Sequence, residues 1–174
     1  MSLKIALIGP ESTGKTTLCM QLAEHFEGLW VPEAAREYLT GLNRSYTAKD
    51  VEKIAFLQMK AETEAEEKGA EWLFCDTNLL VIKQWMIARF DSCPDWILQE
   101  INHRKYDLHI LLKPDIGWQF DVLRENPNDQ WHFFELYKQE LSLLTTPWIV
   151  VDGDGEQRFH NALSGIRKVL NLRE

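Results

Sequence analysis

Short apolar runs alternate with longer amphipathic stretches along this chain. The short runs are rich in β-branched and aromatic residues and are apolar at consecutive positions, as in strands covered by helices on both faces. The predicted strands span residues 3–9, 29–32, 72–75, 107–113 and 147–152. The predicted helices span about residues 15–26, 34–42, 47–68, 77–91, 94–105, 129–144 and 156–171. This alternation predicts an α/β fold of three layers, in which a five-stranded parallel sheet is flanked by helices.

Length and charge narrow the class of protein. The chain has 174 residues, of which 45% are apolar, and we expect one domain over residues 1–174. The net charge of −8 disfavours nucleic acid and anionic membranes as partners. No charged and then apolar leader precedes the first strand, and no apolar run approaches the roughly 20 residues that span a bilayer, so we expect a cytoplasmic location. The acidic run at residues 62–68 is expected to form a solvated helix face.

The first predicted strand runs directly into a phosphate-binding loop. Residues 9–16 read Gly-Pro-Glu-Ser-Thr-Gly-Lys-Thr, and a predicted helix follows. The two glycines let backbone N–H groups turn toward phosphates, the lysine reaches the outer phosphates, and the threonine hydroxyl can bind Mg²⁺. We therefore expect ATP and Mg²⁺ as cofactors. The predicted nucleotide-binding residues are Gly9, Glu11, Ser12, Thr13, Gly14, Lys15, Thr16 and Thr17.

Carboxylates follow two other predicted strands, where ligands of an open α/β sheet bind. Asp76 follows the third strand, the place of the acid that organises Mg²⁺ in P-loop enzymes. It can instead cap the next helix, although Thr77 can take that role and leave Asp76 free. Glu33 follows the second strand and can take a proton from an acceptor hydroxyl, or simply complement a helix dipole. Arg36 lies one turn beyond Glu33, where it can bind the acceptor or pair with Glu33.

The segment at about residues 114–128 lacks helical periodicity and is predicted to form a lid. Arg124 in this lid can fold over the transferring phosphoryl group, where positive charge matters most. The alternative is a solvated arginine beside Glu125. Asp121 can bind acceptor hydroxyls, and Trp118 can stack on a flat ring.

Taken together, these residues resemble a known family, the ribosylnicotinamide kinase domain at the C-terminal end of bifunctional NadR proteins, within the P-loop kinases. The matching segments are residues 9–17, 33–38, 74–77, 106–112 and 118–124. The resemblance implies ATP-dependent phosphorylation of the 5′-hydroxyl of nicotinamide riboside, which gives nicotinamide mononucleotide. We expect the DNA-binding and adenylyltransferase modules of those proteins to be missing here, and therefore expect neither the repressor nor the adenylyltransferase activity.

This interpretation assigns each candidate residue a role. Lys15, Glu33, Asp76 and Arg124 are the catalytic candidates, while the sequence does not rank Glu33 against Asp76 as the base. Thr16 and Asp76 are the metal ligands. The predicted acceptor-binding residues are Glu33, Arg36, Asp76, Trp118 and Asp121. Two alternatives stay open: a kinase for another nucleoside, because the end of the second strand is also similar to deoxynucleoside kinases, and a regulatory module that binds ATP without transferring phosphate.

Overall fold

A single parallel sheet organises the chain in this computed structural model, which describes residues 2–125 and 127–172. The strands are β1 (Leu3–Ile8), β2 (Leu29–Val31), β3 (Trp72–Asp76), β4 (Leu108–Leu112) and β5 (Trp148–Val151). They pair in the order β2-β3-β1-β4-β5, and all four pairings are parallel. The predicted α/β class and five-stranded parallel sheet are confirmed.

Seven described helices connect and cover the strands. They are α1 (Lys15–His25), α2 (Ala34–Thr40), α3 (Ala48–Glu67), α4 (Leu79–Phe90), α5 (Asp95–His103), α6 (Gln130–Ser142) and α7 (Gly155–Leu170). Each predicted element is confirmed, with ends that agree to within about two residues. None of the described helices combines the length and the hydropathy that crossing a bilayer requires.

Apolar side chains on both faces of β1 explain why it is the central strand. Ile5 and Leu7 belong to a cluster that packs against α1 and α7, while Ala6 and Ile8 belong to a cluster that includes side chains of α6. All four residues are fully buried. A strand with no polar face has to lie between two helical layers, and the loop that follows β1 therefore starts from a rigid position.

A charged cluster lies at the opposite end of β1 from that loop. Glu62 on α3 has a fully buried side chain, and its carboxylate lies 2.7 Å from Lys4 Nζ and 3.4 Å from Arg104 Nε. The Tyr106 hydroxyl donates a hydrogen bond to the same carboxylate at 2.9 Å. The prediction that the acidic run is entirely solvated is therefore wrong for Glu62. This residue lies on the buried stripe of α3, and its carboxylate neutralises cations that the fold also buries.

We expect Glu62→Gln to lower the free energy of unfolding by about 3 kcal/mol, because it removes the carboxylate next to the largely buried Arg104 and leaves Lys4 to pair with the partly exposed Glu66. Urea denaturation at neutral pH measures the effect. Glu64→Gln is the matched control, since Glu64 is exposed on the same helix and its substitution should change stability by less than about 0.5 kcal/mol. Equal effects of the two substitutions would contradict the assignment.

Candidate active site

Close packing and backbone conformation fix the phosphate loop. A Cβ at Gly9 would lie 2.9 Å from the Leu112 carbonyl oxygen of β4, so a side chain at this position would clash with backbone. Gly14 has a φ of 78° at the N-terminus of α1, in the left-handed region that favours glycine. Among the described residues no side chain caps this helix, so its first N–H groups remain available to an anion.

Lys15 folds back onto the loop that it follows. Its ammonium donates hydrogen bonds to the carbonyl oxygens of Gly9 at 2.9 Å and Pro10 at 2.6 Å. Burial lowers the pKa of Lys15, although the carboxylates of Glu33 and Asp76 act in the opposite direction. The lysine therefore lies among the loop residues that would surround phosphates.

Asp76 ends β3 with one carboxylate oxygen engaged and one free. Oδ2 accepts a hydrogen bond from the Thr16 hydroxyl at 2.6 Å, whereas the buried Oδ1 has no partner among the described residues. The following helix is capped by Asn78, whose side chain accepts from the Leu80 N–H at 3.0 Å. The alternative in which Asp76 or Thr77 is the cap is thus wrong, because the chain turns at Thr77 with a φ of 81° and brings Asn78 to the helix start.

Glu33 lies at the N-terminus of α2 and lines the cavity described below. Its side chain caps no helix N–H group among the described residues, although Glu33 occupies the N-cap position. Burial raises the pKa of the Glu33 carboxyl, and the ammonium of Lys15 opposes this rise. Burial likewise raises the pKa of Asp76, against the hydrogen bond from Thr16. Both carboxyls therefore hold protons more tightly than solvated ones do.

Arg36 pairs with the lid rather than with Glu33. Its guanidinium Nη2 lies 2.9 Å from Asp121 Oδ2. The backbone N–H of Leu123 and the Arg36 guanidinium together lower the pKa of Asp121. Asp121 and Trp118 are not among the described residues that line the cavity, whereas Arg36 is.

The predicted lid contains no helix or strand among its described residues, and Asn126 lies outside them. The lid contacts Ser12 and Glu11 of the phosphate loop. The Ser12 hydroxyl accepts hydrogen bonds from the Gln119 N–H at 2.8 Å and Arg124 Nη1 at 3.2 Å, and the Glu11 carboxylate accepts one from the Glu125 N–H at 3.1 Å. Arg124 therefore lies against the loop, and its guanidinium carbon is 6.0 Å from the centre of the Trp118 ring.

The phosphate loop, Glu33, Arg36 and Arg124 line one cavity of about 410 Å³, a size that accommodates a small ligand. In the sheet, β2 and β3 lie on one side of β1, whereas β4 and β5 lie on the other. The cavity therefore has one end near β2 and β3 and another end near β4 and β5. Described lining residues on the side of β2 and β3 are Glu33, Ala35, Arg36, Leu39, Tyr46, Val81, Trp85, Ala88 and Arg89. Described residues that follow β4 and β5 and line the other end are Ile116, Asp154, Gly155 and Arg158.

The aromatic side chains that line the end of the cavity near β2 and β3 were not among the residues selected from the sequence. Trp85 Nε1 donates to the Tyr46 hydroxyl at 3.0 Å, and that hydroxyl donates to the Glu125 carboxylate at 2.6 Å. Arg89 lies over the Tyr46 ring, with its guanidinium carbon 6.0 Å from the ring centre. The spacing of Trp85 and Arg89 by four residues on one predicted helix was the available signal, because such residues share a face.

Sequence comparison identifies the family of this domain. Residues 4–158 match a protein family described as an AAA domain. A search among curated proteins finds no match.

Solved structures with a similar fold include two NadR complexes and a nucleoside kinase. A NadR protein in complex with NR has a TM-score of 0.84 and 20% identity, over 99% of this chain and 52% of that chain. A NadR protein in complex with NAD and AMP-PNP has a TM-score of 0.80 and 23% identity, over 99% and 51%. Deoxyadenosine kinase from M. mycoides, with dCMP and a flexible dCDP bound, has a TM-score of 0.61 and 18% identity, over 95% and 99%. The chain thus spans about half the length of the NadR chains.

The partly buried position of the Glu33 carboxyl predicts a pH-dependent cost in stability. Because the pKa of Glu33 lies above its ordinary value of 4.5 in the folded protein, the folded state binds a proton more tightly than the unfolded state, and stability falls as pH rises through the interval between the two values. Glu33→Gln should therefore gain stability relative to the wild type as pH rises above 4.5. Urea unfolding across pH 4 to 8 measures this difference.

Glu37→Gln is the control for the loss of one charge, since Glu37 is exposed on α2. Glu33→Gln should gain more stability than Glu37→Gln over the same pH range. Parallel profiles for the wild type and Glu33→Gln would contradict the burial of this carboxyl.

Proposed function

This chain belongs to the AAA domain family, and we propose that it is a P-loop kinase that transfers a phosphoryl group from ATP to a nucleoside. Nicotinamide riboside is the first acceptor we propose, phosphorylated at its 5′-hydroxyl to nicotinamide mononucleotide. One observation carries the proposal: a single cavity joins the phosphate loop to an end with aromatic rings and a carboxylate.

The donor site consists of the loop and the residues that follow it. The loop amides and the N-terminus of α1 bind the β- and γ-phosphates, and Lys15 leaves the carbonyls of Gly9 and Pro10 to contact their oxygens. Arg124 lies beside Ser12, from where it stabilises the charge on the group in transfer. The similar fold of a NadR protein in complex with AMP-PNP supports this use of the loop.

The residues present fit a Mg²⁺ ion. The Thr16 hydroxyl and the Asp76 carboxylate supply the hard oxygen atoms that Mg²⁺ prefers, and Asp76 Oδ1 is buried without a partner among the described residues. When bound, the ion neutralises negative charge on the phosphates. Asp76 itself holds the Thr16 hydroxyl in place through Oδ2.

Glu33 is the proposed base, because it lines the cavity and Asp76 is not among the described lining residues. In the reaction the acceptor oxygen forms a bond to the γ-phosphorus, the bond from that phosphorus to the ADP oxygen breaks, and the acceptor proton passes to Glu33. The raised pKa of Glu33, which results from burial, favours its acceptance of that proton. Positioning of the two substrates supplies most of the rate.

The end of the cavity near β2 and β3 has aromatic surfaces for a flat ring, and it is lined by the carboxylates of Glu33 and Glu125 as well as by Arg36 and Arg89. Trp85 and Tyr46 provide aromatic surfaces, and Glu125 places a carboxylate next to the Tyr46 hydroxyl. Aromatic faces and carboxylates attract a pyridinium ring such as that of nicotinamide riboside. The similar fold of a NadR protein in complex with NR supports the same choice.

A kinase for another nucleoside is the second candidate. The similar fold of a deoxyadenosine kinase, which covers 95% of this chain, favours it. The aromatic rings of the cavity suit any nucleoside base, so the carboxylate of Glu125 is the feature that separates the two acceptors.

Incubation of the purified protein with Mg-ATP and a panel of nucleosides tests the proposal. We expect ADP release above the water background, and a mass gain of one phosphate, with nicotinamide riboside. Phosphorylation of another nucleoside instead would replace the acceptor and keep the mechanism. Binding of ATP without any phosphorylated product would favour a regulatory module.

In this assay Glu33→Gln distinguishes a kinase from a regulatory module that binds ATP without transferring phosphate. If the protein is a kinase, this variant should lose about 10²-fold or more in turnover, because a general base contributes that much, and it should keep its affinity for ATP. Normal turnover by this variant would eliminate Glu33 as the base.

Trp85→Ala should raise KM for the acceptor by about 5-fold to 160-fold, because stacking of a base on an aromatic ring contributes about 1–3 kcal/mol. KM for ATP should change by less than about twofold, since Trp85 lies at the end of the cavity near β2 and β3 and its indole contacts Tyr46, which is outside the phosphate loop. Trp131→Ala is the matched control, because Trp131 is 53% exposed and is not among the described lining residues. Steady-state kinetics give both constants, and equal increases in both would exclude an acceptor role for Trp85.

A further inference from the structure

Arg158 connects three loops at the carboxyl edge of the sheet. It lies in the first turn of α7, is 4% exposed and lines the cavity. Its guanidinium donates hydrogen bonds to three carbonyl oxygens: those of Gly153 at 2.6 Å, Lys113 at 3.1 Å and Thr13. These carbonyls belong to the segments that follow β5, β4 and β1.

The charge of Arg158 is balanced by Asp115. One carboxylate oxygen of Asp115 accepts a hydrogen bond from Arg158 Nη2, and the other accepts one from the Gly153 N–H at 2.9 Å. A planar guanidinium with several fixed donors can hold this set of oxygens, whereas a lysine ammonium cannot reach all of them at once. The site is thus specific for arginine.

The contact with Thr13 has a direct consequence for the phosphate loop. The peptide group between Thr13 and Gly14 is planar and trans, so its carbonyl and its N–H point in opposite directions. A carbonyl that is held toward Arg158 therefore directs the Gly14 N–H away from Arg158. The Thr13 hydroxyl restrains the same residue further, because it donates to the Pro10 carbonyl at 2.8 Å.

We propose that Arg158 is a positioning residue, which orients the peptide between Thr13 and Gly14 and thereby sets the affinity of the loop for a chain of phosphates. The proposal rests on the proposed nucleotide-binding role of that loop. It assigns Arg158 no contact with the reacting atoms. Its effect reaches the phosphates only through the backbone of the loop.

Two probes distinguish this role from a direct contact with the nucleotide base. Calorimetric titration with ATP and with inorganic tripolyphosphate gives a Kd for each, with the base present only in the first. Arg158→Met should weaken the binding of both probes by the same factor, about tenfold or more, which corresponds to about 1.4 kcal/mol. A loss confined to ATP, or no loss for either probe, would overturn the proposal.

Arg104→Met is the matched control, since it also removes a largely buried cation, but from the cluster with Glu62 at the other edge of the sheet. It should change both Kd values by less than about twofold while its melting temperature falls. An equal loss of affinity in this variant would assign the effect to general destabilisation and overturn the proposal.

Arg158→Lys keeps the test decisive if Arg158→Met does not fold. It retains a positive charge beside Asp115 but loses part of the hydrogen bonding, so both Kd values should rise by about threefold or more. Unchanged binding by the lysine variant would overturn the proposal. The titrations with ATP and tripolyphosphate need no acceptor, so they do not depend on kinase activity. If the protein binds both probes and phosphorylates no nucleoside, the proposed kinase function fails, and the titrations still decide the role of Arg158.

Discussion

The parallel pairing of β1 with β3 and β4 is the constraint on which the candidate site depends. In this register Leu7 lies beside Asp76 and Ile8 beside Leu111, so the ends of three strands meet at one edge. The loop after β1 is thereby brought against the backbone of β4, where only glycine fits at position 9. A shift of β1 by one residue would turn its buried side chains to the other face and separate the loop from Asp76.

Burial determines the charge state of the groups that this edge collects. Lys15 is surrounded by backbone carbonyls and lies close enough to Glu33 and Asp76 for their charges to act on its pKa. Burial raises the pKa of the two carboxyls, and the lysine lowers it. Opposite charges in a partly buried site stabilise one another, and a phosphate chain adds negative charge where Lys15 now donates to the carbonyl oxygens of Gly9 and Pro10.

The lid contacts both the phosphate loop and the end of the cavity near β2 and β3. Its contacts with Ser12 lie on the phosphate loop, whereas its ion pair with Arg36 and the hydrogen bond from Tyr46 lie on the side of β2 and β3. A change at either of these two places therefore acts on the same irregular segment. The exposed side chains of Phe120 and Val122 in this segment, at 89% and 84%, show how little of it is packed into the core.

The sequence alone determined the elements and the phosphate loop, because these follow from local chemistry. Alternating apolar runs predict the strands and helices, and Gly-x-x-x-x-Gly-Lys-Thr after a strand predicts the loop. Position after a strand was also enough to select Glu33 and Asp76 as candidates. Those inferences need only neighbours along the chain.

Only the tertiary structure decided which distant residues meet. The Trp85 indole contacts Tyr46 across 39 positions of sequence, and Arg158 contacts Thr13 across 145. From the sequence Glu62 belongs to a run predicted to be solvated, whereas in the fold its carboxylate lies beside Lys4. The physical reason is common to all three cases: a buried polar group takes whichever partner the packing of helices on the sheet brings within hydrogen-bond distance, and local sequence does not encode that distance.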